Sequence, residues 1–279
     1  MIIDAHHHLW QYSHSDYPWM DGDEKAVLRH DYLIQELDQV TRPLGVSHTV
    51  VVQARQTIWE TEWLLGLSQQ SRTIAGIVGW LPLAADNIRS HLERFSSQTA
   101  LKSLRHVVQD EPDPEFFDRP NFNHGVSLLD EFNLAYDILI FGHQLPMTIR
   151  FVDRHPQQRF VLDHIAKPVI DPSRFDEAWA KNFRELARRD NITCKFSALA
   201  TEVTTPQWTI ETLRPYWETA LEAFGPQRLM FGSDWPVALL RTDYATWLNT
   251  VQQLASQLSP TEQESIFCQT ARSAYQLSI

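Results

Sequence analysis

Near its N-terminus the chain runs Asp4-Ala5-His6-His7-His8. Side chains on a strand alternate faces, so His6 and His8 share one face while His7 takes the other. Two imidazoles on one face can chelate one cation or bind one oxyanion; the plainer alternative is a hydrogen-bonded pair inside the protein. Further on, His164 closes the apolar run 160–163 and Asp234 closes the run 229–232. Asp favours turns, so each of these residues is a weak signal alone. Together they place four potential ligands or acid–base groups at the ends of different strands. A carboxylate can move a proton, and imidazoles can hold a cation or stabilise an oxyanion. That combination suits attack of water on a carbonyl.

The elements that would position these groups recur regularly. Short apolar or β-branched runs fall at 2–5, 48–53, 74–80, 101–107, 137–141, 160–163, 192–197 and 229–232. Between them, segments such as 32–40, 61–70, 87–95, 173–189, 208–224 and 242–257 return apolar residues every three or four positions, the helical period. Strands alternating with helices imply parallel pairing through right-handed crossovers. Eight such units without a Gly-rich phosphate loop after the first strand predict a single (β/α)8 TIM barrel spanning residues 1–279, its mouth carrying long loops. In such a barrel the C-terminal ends of the strands hold the chemistry, which gathers His6, His8, His164 and Asp234. Gly45, Asp190-Asn191 and Gly225-Pro226 punctuate the pattern. Residues 11–30 and 109–123, rich in turn formers and acids, read as long loops of the kind that act as lids.

Composition narrows the function. The 279 residues carry 24 Lys and Arg against 35 Asp and Glu, a formal charge of −11, with the basic residues scattered. Such a surface is a poor partner for nucleic acid or an anionic membrane. No apolar run approaches the roughly 20 residues of a membrane span, and the first residues lack the pattern of a signal peptide. A soluble, cytoplasmic protein is expected. Cys194 and Cys268 are too few and isolated for a disulfide framework or a thiolate zinc site.

Several phrases carry a family resemblance: Asp4-Ala5-His6-His7-His8-Leu9-Trp10, Arg105-His106-Val107-Val108-Gln109-Asp110-Glu111-Pro112, Asp163-His164-Ile165-Ala166-Lys167-Pro168, Cys194-Lys195-Phe196-Ser197-Ala198-Leu199 and Phe231-Gly232-Ser233-Asp234-Trp235-Pro236. With these the chain resembles the amidohydrolase superfamily, and within it the sugar-lactone hydrolases of the L-fuconolactonase and L-rhamnonolactonase type. The resemblance implies that His6, His8, His164 and Asp234 are the metal-site positions, with Asp234 and His164 catalytic. It implies one divalent ion, zinc first among the candidates, or catalysis without metal. A binuclear centre is not implied, because Lys195 does not match the bridging lysine of metal-rich members and the two later histidines have no counterpart.

The expected substrate is a small sugar lactone, opened to the free acid. The pocket candidates are Gln53 and Arg55 after the second strand, Trp80 at the end of the third, Arg105, His143 after the fifth, and Lys167. Trp10 and Trp235 could stack on a sugar face, although an aromatic at a strand end more often belongs to the core. Of the neighbours Arg105 and His106, one must face away from the lumen, and Arg105 is expected inward. A pyrone-dicarboxylate lactonase, a lactone isomerase and a decarboxylase remain alternatives on the same scaffold. Barrels of this kind often associate through their outer helices, so a homo-oligomer is also an open expectation.

Overall fold

The computed structural model describes residues Met1 to Ile279. Eight parallel strands follow one another around a nearly closed barrel in sequence order: β1 (Ile2–His7), β2 (Val46–Val52), β3 (Ile74–Gly79), β4 (Leu101–Val107), β5 (Ala135–Leu139), β6 (Phe160–Leu162), β7 (Ile192–Ser197) and β8 (Leu229–Gly232). The ring is joined where the His6 carbonyl accepts from the Asp234 N–H and the His8 N–H donates to the Trp235 carbonyl, both at 2.7 Å. Around it stand α1 (Ile34–Thr41), α2 (Ile58–Ser68), α3 (Ile88–Phe95), α4 (Pro120–Ser127), α5 (Leu145–Arg154), α6 (Glu177–Leu186), α7 (Ile210–Phe224) and α8 (Tyr244–Leu254). This is the expected (β/α)8 barrel. No helix is long and apolar enough to cross a membrane.

Local chemistry explains many boundaries. Thr57, Asp176, Thr209 and Asp243 each accept a backbone N–H from the first turn of α2, α6, α7 and α8, satisfying donors that the helix leaves unpaired. Gly45 takes a left-handed φ of 74° before β2. The segment 109–123, expected as loop throughout, contains short 3-10 turns and already enters α4 at Pro120. With two Asn and a Gly, α4 has poor intrinsic propensity, so tertiary packing makes it. Phe122 and Val126 are buried, and a Cβ at Gly125 would stand 1.9 Å from the Leu83 carbonyl oxygen.

After α8 the chain forms α9 (Pro260–Glu264), a π-helical turn at Ser265–Gln269 and α10 (Thr270–Ala274). These helices were not foreseen, and they close the end of the barrel opposite the mouth. Cys268, Ala271, Tyr275 and Leu277 pack with Ile3, Ala5, Val50, Val52, Val78, Val161 and Met230. Lys102 at the start of β4 donates to the Gln276 carbonyl. The larger apolar cluster fills the layer between strands and helices.

Candidate active site

Inside β1 the pairing with β2 steps from Asp4↔Thr49 to His7↔Val51, three residues against two. That bulge re-aims the strand. Ile3 and Ala5 pack with the apolar barrel interior, whereas His6 and His8 beyond the bulge bring their Nε2 atoms to 3.2 Å. His7 points the other way, to Thr49 Oγ1 at 2.9 Å. The alternation expected within the His run therefore holds. Gly232 on β8 makes room for this, since a Cβ there would lie 2.9 Å from the His6 Cβ and 3.0 Å from that of Ser197.

His164 and Asp234 arrive differently. His164, Ile165, Ala166 and Lys167 all hold positive φ, from 43° to 62°, as do Ala198 at 46° and Asp234 at 54°. The chain thus leaves β6, β7 and β8 through left-handed residues, none of them glycine. This backbone turns His164 toward β7, where Ser197 Oγ lies 2.8 Å from His164 Nδ1. It sets Asp234 Oδ1 at 3.1 Å from His8 Nε2 and 3.5 Å from His6 Nε2. Ligand atoms of His6, His164 and Asp234 lie within 4.8 Å of one another, and all three residues are buried.

His8 Nδ1 lies 2.8 Å from the Val52 carbonyl, which can only accept, so the ring proton sits on Nδ1. A neutral His8 then presents a lone pair at Nε2 to the Asp234 carboxylate at 3.1 Å. Facing lone pairs repel unless a positive centre, a proton or a cation, lies among them. His6 Nδ1 stands 3.2 Å from Lys195 Nζ and 3.3 Å from Asp163 Oδ1, and its Nε2 faces the centre. Burial drives the His6 imidazole well below its ordinary value, and burial, opposed by Asp234, pushes His164 down to about 4. Burial alone would raise Asp234, but His164, the His8 hydrogen bond and His6 outweigh it and hold the carboxyl well below the usual range. At neutral pH the centre carries one carboxylate with unprotonated His6 and His164. That donor set fits a single divalent zinc-type cation, with the outer nitrogen of each ring against a neighbour: Val52 for His8, Lys195 and Asp163 for His6, Ser197 for His164.

Beneath the centre lies a buried charge network. Arg105 Nη1 donates to Asp163 Oδ2 at 2.9 Å, and Lys195 Nζ bridges Asp163 at 2.8 Å and Asp137 at 2.6 Å. Tyr275, from the closing segment, and Ser103 both donate to Asp137 at 2.6 Å. Two carboxylates thus balance two cations, leaving Asp234 as the unmatched charge. Asp163, Asp137, Ser197 and Tyr275 were not singled out from the sequence. A signal existed for Asp163, since a charged residue one step past β6 on the face of Val161 must find partners.

The remaining candidates separate. Arg105 faces the lumen as expected, and His106 packs outside against Phe116 with Nε2 2.6 Å from Glu111. Gln53 is buried beside Arg105, whose Nη2 donates to the Gln53 carbonyl at 2.6 Å. Arg55 pairs with Asp16 of the 11–30 segment at 2.7 Å. Trp80 is half-buried, its Nε1 3.4 Å from His106 Nδ1. Lys167 Nζ lies 5.6 Å over the Phe141 ring. Trp10 and Trp235 are core residues packed on Tyr32, and Trp10 Nε1 donates to the Leu28 and His30 carbonyls. In this structure both rings are covered by strand and loop, Trp10 at 0% and Trp235 at 2% exposure. His143 lines a separate cleft of about 550 Å³ with Gln109, Glu111 and Arg150, away from the His6 centre.

Known proteins share this architecture over its full length. The chain is 38% identical over 288 residues to an L-fucono-1,5-lactonase of Burkholderia multivorans, covering 99% of this chain and 96% of the relative. An L-fucono-1,5-lactonase of Burkholderia ambifaria is 33% identical, covering 95% and 92%. The crystal structure of a Burkholderia multivorans amidohydrolase with bound zinc superposes with a TM-score of 0.94 at 37% identity, covering 99% of both chains. The amidohydrolase family model matches residues 3–277, and the chain belongs to that family.

Proposed function

We propose that the protein, acting as one domain over residues 1–279, hydrolyses the ester bond of a sugar-acid lactone to give the free acid. The observation that carries this reading is the buried cluster of ligand atoms from His6, His164 and Asp234 at the barrel mouth, with His8 Nε2 set against His6 Nε2 and Asp234 Oδ1 at its edge. The two Burkholderia L-fucono-1,5-lactonases support the lactone as substrate class, and the zinc-containing relative supports a metal at this point.

His6, His8, His164 and Asp234 would hold the ion, which when bound supplies Lewis-acid polarisation and lowers the pKa of water. Asp234 Oδ1 is turned to the histidines, and Oδ2 has no protein donor. That oxygen takes the proton as water attacks the carbonyl carbon. It returns the proton to the ring oxygen as the acyl C–O bond breaks, leaving a carboxylic acid and an alcohol. Asp163 and Ser197 hold the rings of His6 and His164 in place. Arg105, fixed by Asp163 and the Gln53 carbonyl, directs its positive charge at the centre and can stabilise the oxyanion.

A pyrone dicarboxylate is a poorer match. It calls for cations free to meet two carboxylates, but Arg55, Arg105 and Lys195 are already paired with Asp16, Asp163 and Asp137. Lys167 alone among these has no carboxylate partner.

The test is a pH-indicator screen of aldono-lactones, run before and after chelation and after zinc addition. Acid release on a sugar lactone, lost on chelation and restored by zinc, is the expected result. No acid release from any lactone by folded, zinc-supplemented protein would sink the reading. Opening in labelled water without uptake of the label would turn it into an isomerase.

A further inference from the structure

Glu60 was not singled out by the sequence reading, and the reaction above does not use it. It sits in the first turn of α2, fully buried at 0% exposure. One oxygen, Oε2, accepts the Ala54 and Arg55 backbone N–H groups at 3.0 and 2.8 Å, fixing the turn that follows β2. The other, Oε1, is buried without a partner. Gln53 Oε1 and Arg105 Nε share this condition at the ends of β2 and β4. Gln53 and Arg105 are in direct contact, and the Arg105 charge is felt by Glu60.

Buried polar atoms are nearly always paired, and these three unpaired ones sit on residues linked to one another, Gln53 to Arg105 by hydrogen bonds and Glu60 to the turn after Gln53, so a polar occupant suits them. A neutral glutamine could accept the same two N–H groups without bringing a charge inside. Burial pushes the Glu60 carboxyl up to about 7, against those hydrogen bonds and the two nearby arginines. Holding the turn therefore does not account for a carboxyl at this position. Glu60, like His6, is at 0% exposure.

We infer that Glu60 Oε1, Gln53 Oε1 and Arg105 Nε form a subsite for a pair of neighbouring hydroxyls on the substrate. Two acceptors take the two O–H groups, and the guanidinium N–H donates to a hydroxyl oxygen. This rests on the lactonase reading and deepens it: the subsite selects a polyhydroxylated ring and repels a carboxylate substituent, which would bring lone pairs against two acceptors. Glu60 and Gln53 are specificity-determining residues on this account.

The experiment compares kcat/KM on a fully hydroxylated hexono-1,5-lactone with that on δ-valerolactone, the same ring without hydroxyls. Glu60→Gln keeps an acceptor for the two backbone N–H groups and turns the free position into a donor. It is expected to reduce the preference for the hydroxylated ring at least about tenfold, as sites built around a substrate hydroxyl do when the match is lost. General damage would lower both rates together and leave the ratio unchanged, and that result overturns the subsite. Gln53→Met is the second variant should Glu60→Gln fail to fold, with the same expected loss. Binding of the free aldonic acid, followed by tryptophan fluorescence, separates the two claims. Wild type that hydrolyses no lactone, yet binds the acid at least tenfold more tightly than Glu60→Gln, removes the lactonase reading and keeps the subsite. Equal binding by both overturns the subsite.

Discussion

The two sides of the barrel mouth deliver their functional groups by different means. On the β1 side, His6 and His8 belong to or directly follow a hydrogen-bonded strand whose register shift between Asp4 and His7 sets their direction. On the β6–β8 side, His164 and Asp234 stand past their strands on left-handed backbone, in company with Ile165, Ala166, Lys167 and Ala198. L-residues in that conformation each cost about 1–2 kcal/mol. Buried charge lies on both sides, in Glu60 and Arg105 on one and in Asp137, Asp163 and Lys195 on the other. The lesson is a division of labour. Bulged strand aims two of the four candidate ligands, and left-handed backbone aims the other two, Asp234 among them.

The largest expected effect tests that division. Asp234→Asn removes the proton acceptor and should lower kcat by about a thousandfold, within the usual range for a general base. Its circular dichroism should be unchanged and product binding retained. On the other side, His6→Gln should weaken zinc affinity, with activity partly recovered in excess zinc. Full recovery of Asp234→Asn turnover at saturating zinc, or no recovery of His6→Gln, would break the comparison.

Asp163 sharpens it further. This carboxylate holds His6 Nδ1 and Arg105 Nη1 at once, linking the two sides. Partners of this kind typically contribute 10- to 100-fold in metal affinity or activity. Asp163→Asn should fall in that range of about 10- to 100-fold in zinc dissociation constant, read by competition with a chromophoric chelator. An unchanged constant would show that His6 is oriented by its strand alone.

How much of this was legible follows the same line. The runs at 101–107, 192–197 and 229–232 coincide with β4, β7 and β8; β8 is apolar because it is buried on both faces, while β4 and β7 mix apolar residues with the buried Ser103, Arg105 and Lys195. His6 and His8 were legible because period-two alternation is local. The left-handed exits were not: nothing in Ile165-Ala166-Lys167 favours positive φ, and only the surrounding fold imposes it. Glu60 was hidden for another reason, since a glutamate in a first helical turn reads as an ordinary surface or capping residue. Trp10 and Trp235 carry aromatic signals that more often mean packing than recognition, and in the structure both pack on Tyr32.

Charge burial on the β2 side has a pH signature. The Glu60 carboxyl rises, chiefly by burial, from 4.5 to about 7 in the folded protein. A carboxyl whose folded pKa is raised leaves stability intact below the unfolded value. The stability is lost as pH climbs through the folded one, because the folded state then resists ionisation. From this shift the loss should reach about 2 kcal/mol at pH 6. Glu60→Gln removes the term, so urea unfolding at several pH values should show wild type losing ground to the variant between pH 4.5 and 7. Parallel profiles would mean that Glu60 does not titrate in this window.

The smallest effect concerns the backbone side. Ala166 holds φ 62° in the left-handed turn, is fully buried, and lies two residues past His164. Glycine adopts this conformation without the Cβ clash but gives the unfolded chain more freedom, so the two terms partly cancel. Ala166→Gly should therefore stabilise by only about 0.5–1 kcal/mol, roughly 2 °C in Tm for a chain of this size. Because the turn that aims His164 would then hold its shape less rigidly, kcat should fall severalfold while the melting temperature rises. A gain in stability with a loss in turnover marks strain that serves the site. A loss of both would show that the alanine methyl contributes packing that outweighs the strain, and the contrast between the two sides would narrow to Asp234 alone.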